Sequence, residues 1–253
     1  MTTLSHDRLE RETTAPETVE YPESDGEPIG ETDFHISNIL YLRQALRRLF
    51  RKVDDLYVAA NMLFYYEEGN PSACRVPDVF VVRGVAKHDR RTFKLWVEGK
   101  VPCLIVEVTS KKSQVEDLWI KRRLYEKLGV TEYLLFDPLG EYLDPMFQAF
   151  ALEAEQYVPA SLGEGGGYRS RVSGVEFRPI GSMLRAIDPE SGRPVPDLDE
   201  AMDEAEAESQ RAEAESQRAE AESQRAEAEA RRAQQLEEEL RHYRERYGRH
   251  DKP

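Results

Sequence analysis

From Phe34 onward, apolar side chains recur at helical intervals. Ile36, Ile39, Leu40, Leu42, Ala45, Leu46, Leu49 and Phe50 mark one face, while Arg43, Arg47, Arg48 and Arg51 take the rest. This spacing predicts an amphipathic helix. Strand-like runs follow over 57–64, 76–85 and 93–97, and a nearly unbroken apolar run covers 103–108. A strand apolar on both faces belongs in the middle of its sheet. Helical spacing returns over 115–128 and stops at Gly129, a residue suited to a helix C-cap. Another buried strand is predicted over 131–136, ended by Asp137-Pro138. Strand, helix, strand in that order is a βαβ unit, so its two strands should pair in parallel. Residues 141–180 read as further edge strands, interrupted by a glycine cluster at 163–167 that lacks the context of a phosphate-binding loop.

The flanks have a different character. Residues 1–33 are acidic and carry Pro16, Pro22 and Pro28, a composition expected of a disordered leader. Residues 191–197 are a proline-containing linker after the 34–190 domain. From 198 to 250 the chain becomes a charged heptad repeat: Arg-Ala-Glu-Ala-Glu-Ser-Gln starts at Arg211 and again at Arg218, and its first five residues recur from Arg225. A long helix is predicted, and its Ala and Ser seam would bury little surface in a coiled coil.

Composition enters through its distribution. The net charge of −14 argues against a nucleic-acid partner if taken whole. The leader, however, holds 10 acidic and 2 basic residues and the segment 198–253 holds 17 and 10, which leaves 22 and 23 between them. The central domain is therefore nearly neutral. Cys74 and Cys103 form neither a zinc pattern nor a disulfide framework. With no signal-peptide pattern and no apolar run of roughly 18 residues, the expectation is a reduced, cytoplasmic protein without membrane spans.

Candidate chemistry lies where charge interrupts hydrocarbon. Asp78 is expected on one strand face with Val76, Phe80 and Val82, and Glu107 shares a face with Cys103, Ile105 and Thr109. A buried carboxylate needs a cation or strong donors. Lys121 or an arginine would suffice as a salt-bridge partner. Two carboxylates at neighbouring strand ends also offer hard oxygen ligands to magnesium. Asp117, Lys121 and Tyr125 recur every four residues along the following helix, so Lys121 can reach back over the pair, although an ordinary surface ion pair with Asp117 is the commoner result of such spacing. Lys111, Lys112, Arg122, Arg123 and Lys127 suggest a basic patch beside these acids, His35 and His88 read as core or surface residues, and Glu31 is a further candidate acid.

The succession PDVFVV, LIVEVTS, D-x-x-x-K-x-x-x-Y and LGVTEYLLFDP resembles the Uma-two family of endonucleases, within the PD-(D/E)XK restriction-endonuclease-like superfamily. The resemblance spans roughly 34–185. It implies an α/β (α+β) fold, with a mixed sheet flanked by helices, and hydrolysis of DNA phosphodiesters by a metal-activated water. RNA is an alternative substrate. Magnesium, replaceable by manganese, would be held by Asp78, Glu107 and the backbone carbonyl of Val108. The superfamily pattern has a lysine two residues after the second acid, where this chain has Thr109; the resemblance gives that catalytic role to Lys121. It also implies a homo-oligomer, most simply a dimer. The rival reading is an inactive nuclease-fold module that binds nucleic acid or protein and oligomerises through its tail.

Overall fold

The computed structural model describes residues 19–24 and 31–248. In chain order the elements are α1 (Asp33–Leu49), β1 (Leu56–Ala60), β2 (Phe64–Tyr65), β3 (Cys74–Arg75), β4 (Val79–Arg83), β5 (Phe93–Lys94), α2 (Leu95–Glu98) and β6 (Leu104–Val108). There follow a π-helical turn (Glu116–Lys121), α3 (Arg122–Leu128), β7 (Glu132–Phe136), β8 (Phe147–Glu153), β9 (Gln156–Pro159), β10 (Tyr168–Arg169), β11 (Glu176–Ile180), β12 (Met183–Ile187) and α4 (Leu198–Tyr247). The architecture is the expected mixed α/β, with a long C-terminal helix.

The main sheet runs β1-β4-β6-β7-β8-β9, with β6 and β7 parallel and every other neighbouring pair antiparallel. The parallel pair is the predicted βαβ unit. Side-chain alternation divides the core in two. Val79, Val81, Leu104, Val106, Leu134 and Phe136 pack with Leu42 and Leu46 of α1 and with Phe177 and Leu184. Phe80, Val82, Ile105, Tyr133 and Leu135 pack on the opposite face with Tyr125, Phe64 and Phe93.

Helix α1 is fixed at both its start and its flank. The Thr32 side chain accepts from the His35 amide as the N-cap. Asn38 is fully buried and bonds the backbone of Ser182 and Leu184, while Tyr41 OH donates to the Val195 carbonyl at 2.9 Å. These bonds lock the helix against β12 and so fix where its first turn points.

Several element boundaries differ from the sequence reading. The run 76–85 becomes strand only from Val79, because Pro77 offers no N–H to a ladder. The run 93–97 is two strand residues followed by a short helix, and 57–64 divides at Asn61, which has a φ of +47°. β2, β3 and β5 form a small separate sheet. The glycine cluster closes on itself through a Gly163 N–H to Gly167 carbonyl bond of 2.7 Å and makes an ordinary loop.

Most of the expected leader lies outside the described residues. Its segment 19–24 is docked on the small sheet: Tyr65 OH donates to the Pro22 carbonyl at 2.6 Å, and the Tyr21 ring packs on Tyr65 and Trp96. That contact was not foreseen from composition.

Residues 196–248 form a unit of their own. Its helix α4 has 50 residues and opens with a capping box between Asp197 and Glu200. At 1.5 Å per residue it spans roughly 75 Å. No helix among the described residues is long and apolar enough to cross a membrane.

Candidate active site

β4 and β6 run antiparallel with Val79 opposite Val106, so the residue entering β4, Asp78, meets the carboxyl end of β6. The two strands exchange bonds there. The Asp78 amide donates to Glu107 Oε2 at 3.3 Å, and the Val108 amide donates to Asp78 Oδ2 at 2.7 Å. Asp78, Glu107 and Val108, three residues singled out in the sequence, are thus brought together, with Asp78 at the strand entrance and not within it.

Glu107 is completely buried. Its Oε2 lies 3.0 Å from Lys121 Nζ, and its Oε1 accepts from Tyr125 OH at 3.1 Å. Lys121 Nζ is also 2.8 Å from Asp117 Oδ1. The surface ion pair that spacing alone favours is therefore not what forms: Asp117 is 1% exposed and Lys121 8%. The π turn explains how Asp117, Lys121 and Tyr125 all face Glu107. Eight residues of ideal α-helix turn roughly 80° beyond two full rotations. A π turn takes more residues per turn and absorbs that drift. Tyr133 OH donates to the Asp117 carbonyl at 2.9 Å, tying the turn to β7.

His35 completes the cluster from α1. Its Nε2 is 3.2 Å from Asp78 Oδ2 and its Nδ1 is 2.8 Å from Glu31 Oε2. Sequence reasoning assigned this histidine to core or surface. The available signal was its i,i+4 relation to Glu31, whereas its contact with Asp78 joins residues 43 apart.

Burial first, and then the crowding of carboxylates, shifts the titrations in this cluster. Burial drives the Glu107 carboxyl well above the ordinary carboxylate range, opposed by Lys121 and reinforced by Asp78 and Asp117. Burial likewise raises Asp117, against the pull of Lys121. For Lys121, burial favours the neutral amine, but Glu107, Asp117 and Asp78 outweigh it and hold the proton more tightly than usual. At His35 burial is again overcome, here by the hydrogen bond and charge of Asp78 with help from Glu31, and the imidazole titrates above its ordinary value.

Glu31, Asp78, Glu107 and Asp117 together face one ammonium and one imidazole. This imbalance, on hard oxygen donors, suits a divalent cation. Among the described residues no group of three or more His, Cys, Asp or Glu side chains is placed so as to hold a metal ion by itself. A cation here would complete its shell with backbone carbonyl and water, as magnesium commonly does.

Other sequence candidates lie outside this hydrogen-bonded cluster. Lys111 and Lys112 are exposed and line a cavity of about 340 Å³, which has His35 and Thr109 in its wall. Arg122 places its guanidinium 3.9 Å from the centroid of the Phe150 ring, while Arg123 and Lys127 are exposed.

Residues 6–175 match the model of the Uma2 family, whose description is "Putative restriction endonuclease". Among solved structures, the chain is similar to a "putative nuclease belonging to DUF820" from Anabaena variabilis ATCC 29413, at 12% identity over 65% of this chain and 86% of that one, with a TM-score of 0.41. No curated protein matches.

Proposed function

Starting from the premise that this chain belongs to the Uma2 family of restriction-endonuclease-like proteins, we propose that it is a magnesium-dependent endodeoxyribonuclease. Asp78, Glu107 and the Val108 carbonyl would hold the ion, and manganese would substitute for it. When bound, such an ion lowers the pKa of an attacking water and neutralises charge on the phosphodiester. The observation that carries this reading is the surplus of carboxylates around a single buried ammonium.

In this reading the protein's own groups have separate tasks. Lys121 Nζ, held between Asp117 and Glu107, would position the water or the phosphate oxygen. Tyr125 and the Asp78 amide orient Glu107, so that its oxygens keep one geometry. His35 and the Val108 amide do the same for Asp78. Such preorganisation is the contribution expected of a protein whose substrate charge must be met without rearrangement. DNA is the proposed partner, the assembly a homodimer and the setting a reducing cytoplasm.

The test is incubation of supercoiled plasmid and single-stranded DNA with magnesium or manganese, beside Glu107→Ala and Lys121→Ala. Cleavage lost in both variants is the expected result. Cleavage retained by both would refute the assignment. A second reading, a binding module without turnover, is favoured by one observation: both Glu107 oxygens already have protein partners. Isothermal titration separates the two, because the first requires manganese binding that Glu107→Gln abolishes.

A further inference from the structure

The cavity beside the carboxylates has both apolar and basic residues in its lining. Phe34, from the first turn of α1, and Leu139, from the loop after β7, line it and are 45% and 50% exposed; Tyr142 lines it from the same loop. Lys111 and Lys112 line it from the segment after β6. These apolar and cationic elements come from three separate parts of the chain.

The loop wall is built. Asp137 is 1% exposed, and its carboxylate accepts the amides of Leu139, Tyr142 and Leu143. Leu139 and Tyr142 are thus held in place before any ligand arrives. The lining also includes His35, bonded to Asp78, and Thr109, a residue 2% exposed whose hydroxyl has no hydrogen-bond partner among the described residues. The cavity therefore shares a wall with the carboxylate cluster.

We infer that this cavity receives one unstacked nucleotide of the nucleic-acid substrate, with its base among Phe34, Leu139 and Tyr142 and its phosphate on Lys111 and Lys112. The inference rests on the nuclease reading and names the form of substrate. A volume of about 340 Å³ suits one nucleotide and excludes a stacked pair of bases. Aromatic and aliphatic walls bind any base by its face, without reading sequence. The acidic neighbours Glu31 and Asp137 repel phosphate from the interior, which leaves it at the lysines. Seating the nucleotide brings an adjoining phosphodiester to the Asp78 side. Intact duplex must give up a base to enter, so single strands, mismatches and frayed ends are the favoured substrates.

The test is an NMR-monitored titration of the full chain, with divalent ions chelated, using deoxycytidine 5′-monophosphate and separately inorganic phosphate. The nucleotide should bind roughly tenfold more tightly than phosphate, the contribution of stacking one base. Phe34→Ala with Leu139→Ala should remove that difference while phosphate binding persists, and Lys111→Glu with Lys112→Glu should weaken both ligands. Leu139→Ser alone serves if the double variant fails to fold, since it changes one exposed side chain. Equal binding of nucleotide and phosphate by the wild type, or an unchanged difference in the variants, overturns the inference. Cleavage of DNA without nucleotide binding rejects the pocket alone. Nucleotide binding with no cleavage under any metal supports the pocket and rejects the nuclease.

Discussion

The Lys121 ammonium lies 3.0 Å from a Glu107 carboxylate oxygen, with both side chains shut away from water. Removing only the cation, as in Lys121→Met, leaves a buried acid uncompensated. Urea denaturation should show a loss of about 3–5 kcal/mol near neutral pH. Replacing both partners by apolar residues should recover much of that loss. The pH dependence has a definite sign. Glu107 titrates above its ordinary 4.5, so its contribution to stability is complete below that value and is lost as pH rises through the folded pKa. Without Lys121 to oppose this, the variant should be least impaired in acid.

The Arg90–Glu98 pair should respond in the opposite direction. Arg90 Nε and Nη2 bond the two Glu98 oxygens at 2.7 and 2.9 Å, and the guanidinium lies 4.3 Å from the centroid of the Tyr57 ring. The hydrogen bond from Arg90 holds Glu98 below its ordinary 4.5. Its contribution is therefore present above pH 4.5 and disappears as pH falls through the folded pKa. Glu98→Gln should flatten the acid limb of a stability profile. Arg90→Lys should cost about 1–2 kcal/mol in thermal unfolding, because lysine reproduces neither the fork nor the ring contact.

Glu132 is a buried acid of another kind. It is fully buried, but it is satisfied by Tyr168 OH, Ser170 Oγ and the Arg171 amide at 2.8, 2.5 and 2.6 Å. These bonds join the main sheet to the β10-β11-β12 sheet. Glu132→Ala should destabilise by about 2–4 kcal/mol, since it strands several donors. Manganese affinity should be unchanged in variants that remain folded, and a lost metal signal would show that this acid also serves the site.

What the sequence disclosed follows from local contrast. Asp78 and Glu107 stand out because their neighbours are hydrocarbon, and Lys121 because it repeats in phase with Asp117 and Tyr125. Glu132 sits near the polar beginning of its run and offers no such contrast. His35 acquires meaning only when β4 arrives beneath α1 from 43 residues away. The small sheet, made of two-residue strands, is too short for periodicity to register. The π turn is hidden for a different reason: amphipathic spacing tolerates one extra residue.

The role of that extra residue can be measured. Deleting Trp119, which is 70% exposed, should convert the π turn to α-helix with little loss of packing. Asp117, Lys121 and Tyr125 would then be spaced three and seven residues apart, which keeps them on one α-helical face within roughly 60° of one another. Circular dichroism should remain helical and metal binding should persist. Loss of metal binding in a helical variant would show that the alignment needs the π turn itself and not only the spacing.

The tail invites a test of self-association. Leu236, Leu240, Tyr243 and Tyr247 are exposed at four- and three-residue intervals, whereas the preceding seam is mostly Ala and Ser. Any pairing of this helix should depend on that last segment. Leu236→Asp with Leu240→Asp should lower the mass per particle in light scattering if the chain pairs there. A mass unaffected by the variant excludes that contact.

The seven-residue unit within α4 also makes its length an adjustable quantity. Gaining or losing one whole unit changes the helix by about 10 Å and rotates its seam by only about 20°. The capping box at Asp197 and the closing Leu and Tyr residues would keep their local sequence. Insertion or deletion of whole repeats is thus a near-silent change for the helix itself, so its length can be reset without altering a residue of the carboxylate-bearing domain.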